Sequence, residues 1–282
     1  MLSHINLMTN RFGLPAITGD KIALGSKVRN TVAAFGDPHI LSYRGLGVVE
    51  TCEALGWHKY MENEYFKLQA YGEHASEDGD SEATYITAMS LIFYTDDGNL
   101  VSWQSATGEK PSVSLRYDDK TGLKVAGGVN LEEKGNGVVF THNSSATSLR
   151  VQKYNETYLF VLRTASGLLD ATTGLLITGC PNPTVIAAKR KKRSTEDCEN
   201  ACSGTNSLYQ DACVFDCQVT GDTGVAETFN DVEDMQSDIE NDDDSILKDF
   251  NGVPEGEDSG ADKPTTMLTF VMMLAAVAAI FS

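Results

Sequence analysis

The feature that most constrains the fold is a series of short β-patterned segments between residues 34 and 180. Residues 83–95 (ATYITAMSLIFYT) and 100–105 are rich in β-branched and aromatic side chains, and turn residues separate them. Residues 148–165 predict two strands joined by a turn at Asn155-Glu156. Short strands at this spacing predict a mainly β fold, an antiparallel β-sandwich with a small disulfide-rich C-terminal region that contains a short helix.

Changes in composition predict how the chain is organised around this sandwich. The predicted parts are a short N-terminal segment (1–33) interpreted as the remnant of a missing domain, the sandwich (34–181), an exposed linker (182–197), a Cys-rich region with an amphipathic helix (198–242), an acidic stalk (243–266) and a hydrophobic tail (267–282).

The amphipathic helix is predicted from apolar positions spaced 4, 3, 3 and 4 residues apart, at Val225, Phe229, Val232, Met235 and Ile239. We interpret it as a surface helix packed on the sandwich. A helix lying on a membrane is the alternative, but an anionic bilayer would repel its acidic face.

Acidic residues are concentrated in the C-terminal part of the chain. The formal net charge is −18, and the stretch from Glu227 to Asp262 holds 14 acidic residues and one basic residue, Lys248. No broad basic surface is predicted, so nucleic acid is not an expected partner.

Six cysteines indicate a disulfide framework if the chain is secreted. Four of them form two C-x₃-C pairs, for which a four-thiolate zinc site is the competing interpretation. The signals for the secretory pathway described below favour disulfides. The cysteines are Cys52, Cys180, Cys198, Cys202, Cys213 and Cys217.

The C-terminus predicts a glycosylphosphatidylinositol (GPI) anchor. Residues 267–282 carry no charge and are too short for a comfortable transmembrane helix. Small residues and a polar spacer precede them, which predicts attachment at Ser259 or Gly260 and removal of the tail. A tail-anchored helix is the alternative. Residues 1–27 hold no apolar secretory signal, so we interpret the N-terminus as incomplete.

Two further modifications fit an extracellular protein. Asn143-Ser144-Ser145 and Asn155-Glu156-Thr157 match the acceptor pattern for N-glycans. The run Arg190, Lys191, Lys192 and Arg193 has the R-x-K-R pattern of a convertase cleavage site, with a solvated basic loop or a nuclear signal as the alternatives.

The stretch FGDPH contains an Asp-Pro bond, Asp37-Pro38, followed by His39. The proline nitrogen is a tertiary amide that is easy to protonate and expel, and the Asp37 carboxylate is placed to attack its own carbonyl. His39 is a candidate proton donor because imidazole titrates near neutrality. Self-cleavage and a plain turn are both open interpretations from these residues alone.

Separated motifs resemble a known family. FGDPH followed by ETC (50–52) resembles the start of a von Willebrand factor type D domain. The stretch LGWHKYMENEYFKLQA (55–70) resembles the repulsive guidance molecule family, as does LYQDACVFDCQVTGD (208–222).

The resemblance implies a cell-surface protein tethered by GPI. It implies cleavage between Asp37 and Pro38, binding to neogenin-type receptors and a co-receptor or modulator role in bone morphogenetic protein (BMP) signalling. The five histidines, which are His4, His39, His58, His74 and His142, lie in no nucleophile motif, so we expect no enzyme acting on other molecules and predict no cofactor or metal. An extracellular adhesion or matrix protein that uses the domain for assembly is the alternative function.

The chain also departs from the family pattern. No cysteine precedes Asp37, and the family's N-terminal helical domain, its main BMP-binding part, is not seen in these residues. The released N-terminal fragment is therefore not expected to stay attached through a disulfide. The resemblance implies that Cys52 pairs with Cys213 and Cys180 with Cys198. Cys202 and Cys217 look like additions to the family pattern, and we expect them to pair with each other.

Overall fold

A computed structural model shows three layers: a layer of helices, an eight-stranded sheet and a six-stranded sheet. The residues that the structure describes are 29–36, 38–45, 48–74, 84–95, 98–105, 115–117, 120–154, 157–181 and 194–241.

The described residues form fourteen strands, and every pairing between them is antiparallel. The larger sheet has the order β10-β11-β12-β13-β14-β1-β2-β3, and the smaller has the order β4-β5-β6-β7-β8-β9. The strands are β1 (Arg29–Phe35), β2 (His39–Leu41), β3 (Val49–Thr51), β4 (Gly56–Glu62), β5 (Phe66–His74), β6 (Thr84–Tyr94), β7 (Leu100–Gln104), β8 (Leu115–Tyr117), β9 (Lys120–Leu123), β10 (Val125–Ala126), β11 (Val129–Lys134), β12 (Gly137–His142), β13 (Thr147–Tyr154) and β14 (Thr157–Ala165).

Helices follow the strands in the sequence. Two one-turn helices, α1 (Ser166–Leu169) and α2 (Leu175–Thr178), come directly after β14. Three helices then make up the C-terminal region: α3 (Thr195–Ala201), α4 (Gln210–Thr220) and α5 (Val225–Asn241). Among the described helices, none is both long enough and apolar enough to cross a membrane.

The larger sheet is buried on both faces. Its inner face packs against the smaller sheet, so that Val32 and Phe160 belong to the core between the sheets. Its outer face packs against α4 and α5, and there Phe35 and Val161 lie beside Phe229. Strand β14 is therefore an almost continuous apolar run, as expected for a strand covered on both sides.

The predicted antiparallel sandwich is confirmed, and so are several of its elements. The predicted segments 83–95 and 100–105 correspond to β6 and β7, and residues 148–165 form β13 and β14. Residues 155–156 between those two strands lie outside the described residues. The amphipathic helix is confirmed as α5, whose apolar side packs on the sandwich.

Replacing Phe229 with Ala is expected to destabilise the protein by about 3–5 kcal/mol, the usual cost of removing a buried aromatic ring. The ring is fully buried between α5 and the larger sheet, where it contacts Phe35 edge-on. Chemical denaturation of both proteins measures the difference. Asp234→Ala on the exposed side of α5 is the control and should change the free energy of unfolding by less than about 0.5 kcal/mol. Equal losses would contradict this packing.

Candidate functional site

The FGDPH motif forms the tight connection between two neighbouring strands. Phe35 ends β1 and His39 begins β2, and these two residues are paired across the antiparallel ladder. Gly36 has a left-handed backbone with φ +59°, a conformation that glycine adopts without strain. Pro38 is buried, whereas Asp37 lies outside the described residues.

The His39 ring is held from both sides. Its Nε2 atom lies 2.8 Å from Oδ1 of Asp216 on α4, and its Nδ1 atom lies 3.0 Å from the Thr51 hydroxyl at the end of β3. Both His39 and Asp216 are almost completely buried, with 0% and 3% exposure. An ionised carboxylate only accepts hydrogen bonds, so the proton between Nε2 and Asp216 belongs to the imidazole in that state.

Asp216 also closes the space beside Gly36. A Cβ atom at Gly36 would lie 2.7 Å from Oδ2 of Asp216 and 3.1 Å from Cδ2 of His39. Asp216 therefore contacts both ends of the turn, since one of its oxygens faces Gly36 and the other faces His39. Any larger residue at position 36 would displace this carboxylate.

Aromatic rings surround the His39–Asp216 pair. The His39 ring contacts Phe35, Phe215 and Phe229 at centroid distances of 5.7, 6.3 and 5.7 Å. Apolar walls keep water away and strengthen electrostatic interactions within the site. The same packing includes Tyr209, whose hydroxyl pKa is raised by burial and further by nearby carboxylates.

The E-T-C motif at the end of β3 supports this site through Thr51 and Cys52. Thr51 contacts the His39 ring, and the backbone N–H of Cys52 donates to the Pro38 carbonyl at 3.0 Å. Glu50 reaches across to accept a hydrogen bond from the backbone N–H of Cys180 at 2.8 Å. Thr51 and Cys52 thus hold the two residues that follow the Asp-Pro bond.

The six cysteines form three disulfides, but the pairing implied by the resemblance is wrong. Cys52 is bonded to Cys180, and their Cα atoms are 5.7 Å apart. This disulfide links the residue after β3 to the segment that follows α2. The other two bonds join α3 to α4, as Cys198–Cys217 and Cys202–Cys213. These four sulfurs are consumed in disulfides, so they are not the thiolates that the zinc interpretation requires.

The physical reason for the α3–α4 pairing lies in the spacing of the cysteines. Residues four positions apart lie on one face of a helix, so each C-x₃-C motif presents both sulfurs to the same side. Where the two helices run antiparallel, the first cysteine of one motif meets the last cysteine of the other.

Removing the Cys52–Cys180 bond is expected to cost more than removing Cys202–Cys213. The sequence separations are 128 and 11 residues, and the chain-entropy model gives about 5 and about 3 kcal/mol for such loops. Double Cys→Ser variants of each pair, compared by chemical denaturation, measure the two losses. A larger loss for the shorter loop would contradict this ranking.

The remaining predicted site residues are spread along the chain. Asn143 is exposed in a 3₁₀ turn between β12 and β13, while the Ser145 hydroxyl of its acceptor triplet is buried and lies 2.8 Å from Nδ1 of His142. Glycosylation at Asn143 stays a prediction. Four predictions fall outside the described residues, namely Asn155, the basic run Arg190–Arg193, and the anchor positions Ser259 and Gly260.

Sequence reasoning missed the roles of Asp216 and Thr51, although both lie in the quoted motifs. His39 and Asp216 are 177 residues apart, and a spacing of this size carries no local signal that two side chains meet. An acidic residue on the face of α4 that also carries two cysteines was the available indication, because that face must pack inward.

The fold and the disulfides define a β-sandwich stabilised by covalent cross-links, a class typical of oxidising compartments. The model of the repulsive guidance molecule (RGM) C-terminal domain matches residues 29–240. The chain therefore belongs to the repulsive guidance molecule family. It is also similar to the repulsive guidance molecule B homolog drag-1 of Caenorhabditis elegans, with 23% identity over 213 residues that cover 67% of this chain and 51% of that protein. The chain thus spans about half the length of that relative.

Proposed function

We propose that this chain is a GPI-anchored cell-surface protein of the repulsive guidance type. It binds neogenin-type receptors, modulates BMP signalling and is cut at its own Asp37-Pro38 bond. The observation that carries this proposal is the match to the RGM C-terminal domain over residues 29–240, which includes both sheets and all three C-terminal helices. The name of the nematode relative, a repulsive guidance molecule B homolog, supports the same class.

Receptor binding is tested with a purified neogenin-type ectodomain. The secreted, glycosylated protein is immobilised, and the ectodomain is passed over it at increasing concentration. Saturable binding supports the proposal. A Cys52→Ser, Cys180→Ser variant, which loses the cross-link of the sandwich, is the matched control for binding that needs the folded domain. Absence of binding by well-folded protein would remove the receptor role. A BMP ligand passed over the same surface tests the second partner.

The membrane tether is tested by enzymatic release from cells. Phosphatidylinositol-specific phospholipase C cleaves GPI anchors and leaves transmembrane helices intact. We expect it to release the protein into the medium. Bulky substitutions at both Ser259 and Gly260 should prevent anchor attachment, because that step requires small residues. Protein that stays on cells after the enzyme treatment would show a different mode of attachment.

The buried site supports cleavage in cis. His39 is fully buried, so this imidazole is not accessible to a separate substrate molecule. The target that we assign to it is the bond before Pro38, because Pro38 is the residue before His39 in the chain. Here the Asp37 carboxylate would attack its own carbonyl carbon, and the carbon–nitrogen bond to Pro38 would break as the nitrogen takes up a proton. Water would then open the cyclic anhydride to give two carboxyl groups.

A further inference from the structure

The Asp216 carboxylate is the one acidic group seen to contact the described residues on both sides of the Asp-Pro bond. It lies 2.8 Å from His39 Nε2, and a Cβ at Gly36 would be 2.7 Å from its second oxygen. It comes from α4, whereas Gly36 and His39 belong to the β1–β2 connection. A buried charge of this kind is costly unless a partner compensates it, and His39 is the partner.

We infer that Asp216 is a positioning residue for the cleavage next to Pro38 and that it acts through His39. The inference rests on the proposed self-cleavage. Thr51 belongs to the same arrangement because its hydroxyl contacts the other ring nitrogen. Together the two residues fix the plane of the imidazole beside the Pro38 backbone, whose carbonyl is held by Cys52.

The role of Asp216 follows from the proton that the reaction needs. When the Asp37 carboxylate attacks, the electron pair of the broken bond stays on the Pro38 nitrogen, which must be protonated to leave. In the proposed step, a doubly protonated His39 gives up the proton on Nδ1, the nitrogen that faces Thr51, and keeps the proton on Nε2 that faces Asp216. The Asp216 carboxylate balances the charge of the imidazolium within the aromatic surroundings before this transfer. His39 returns to the neutral form and regains its proton from solvent after water opens the anhydride.

The same geometry sets an order of events in maturation. Asp216 reaches His39 only when α4 is docked on the outer face of the larger sheet. Helix α4 is itself cross-linked to α3 by two disulfides. The Asp-Pro bond near the start of the domain therefore becomes competent for cleavage only after α4 has been synthesised and packed.

The decisive variant is Asp216→Asn. Asparagine keeps an oxygen that accepts the Nε2 proton of a neutral His39, but it cannot balance an imidazolium. We expect cleavage at neutral pH to slow by roughly 100-fold, the scale of general acid catalysis, with little change in thermal stability. The matched control is Asp211→Asn on the exposed side of α4, which removes the same charge and should leave the cleavage rate unchanged.

The measurement is a pulse-chase time course of newly made protein, analysed on reducing denaturing gels. A second readout is the pH profile, because solvent protons replace the His39 proton as the pH falls. The rates of Asp216→Asn and wild type should therefore converge under mildly acidic conditions. A purely structural role of Asp216 would not produce this convergence. Equal rates and equal pH profiles for the two proteins would overturn the inference.

A second variant tests the same arrangement in case Asp216→Asn does not fold. Thr51→Val preserves the shape of a half-buried strand residue and removes the hydroxyl that contacts Nδ1. We expect slower cleavage with intact disulfides, and an unchanged rate would count against the arrangement. If the variants are cut as fast as the wild-type protein, the role of Asp216 is wrong but the proposed self-cleavage stands. If wild-type protein stays whole, the proposed self-cleavage fails and the inference fails with it.

Discussion

Asp37→Ala is expected to abolish cleavage and to leave one chain where the wild type gives two. The alanine has no carboxylate to attack the carbonyl before Pro38, so the cyclic anhydride cannot form. In the proposed mechanism neither His39 nor Asp216 replaces it, because His39 is the proton donor and Asp216 faces the His39 ring. The effect should be complete on the time scale of secretion.

Reducing denaturing gels of secreted protein measure this result directly. Asp170→Ala is a suitable control because it removes an exposed carboxylate far along the chain from the Asp-Pro bond. Circular dichroism should show the same β-sheet content in all three proteins. Two chains from Asp37→Ala would assign the cut to another protease or another bond.

The second large effect concerns what happens to the N-terminal part after cleavage. We expect residues 1–37 to stay bound to the sandwich without any covalent link. Strand β1 lies inside the larger sheet, paired with β14 along Arg29–Ala34 and with β2 along Ala33–Phe35. Val32 and Ala34 are buried in the core between the sheets, while Ala33 and Phe35 are buried under the helices.

Arg29 anchors the start of this strand. Its guanidinium donates hydrogen bonds to the Ala146 carbonyl at 3.0 Å, to the Ser148 hydroxyl at 2.9 Å and to the Arg163 carbonyl at 3.0 Å. The six cysteines of this sequence all follow the Asp-Pro bond and are paired with each other, so none of them is left to form a disulfide across the cut. The pairing and burial of β1 are therefore what we expect to hold the N-terminal piece in place.

The test is gel filtration of the cleaved protein without reductant. The two pieces should elute together in native buffer and separate in concentrated guanidinium chloride. Val32→Ala should weaken the complex by roughly 30-fold, because losing about 2 kcal/mol of core packing corresponds to that change in dissociation constant. Thr31→Ala, which faces the helix side with a single hydrogen bond to Glu240, is the control and should change little. Free fragment in native buffer would contradict the inserted strand.

Sequence periodicity predicted the elements in which the pattern of buried and exposed side chains is contained within a single segment. The five apolar positions of α5 fit one helical face, and four of them are fully or almost fully buried. The alternation and turn residues likewise predicted β6, β7 and the β13–β14 pair. In each case the signal lies within one segment, where the period of the secondary structure determines which residues face inward.

Contacts between distant segments could not be read in this way. The apolar face of α5 predicted that this helix packs on the sandwich, but which sheet face it covers depends on the match between two apolar surfaces. The disulfides were assigned from the family resemblance, and the pairing of the two C-x₃-C motifs became apparent only in the structure, where α3 and α4 lie side by side. The meeting of His39 with Asp216 required the tertiary structure.

The arrangement of the disulfides has a consequence for how long the domain stays at a cell surface. Cys52–Cys180 closes the sandwich on itself, and the other two bonds stay within α3 and α4. No disulfide spans residues 182–193, which include the basic run. A convertase cut there would leave the sandwich held to an anchored C-terminal part only by the packing of α4 and α5 and by ion pairs such as Arg163–Glu240. The residence time of the sandwich on the membrane would then be set by the opening rate of that helical layer, independently of the protease that made the cut.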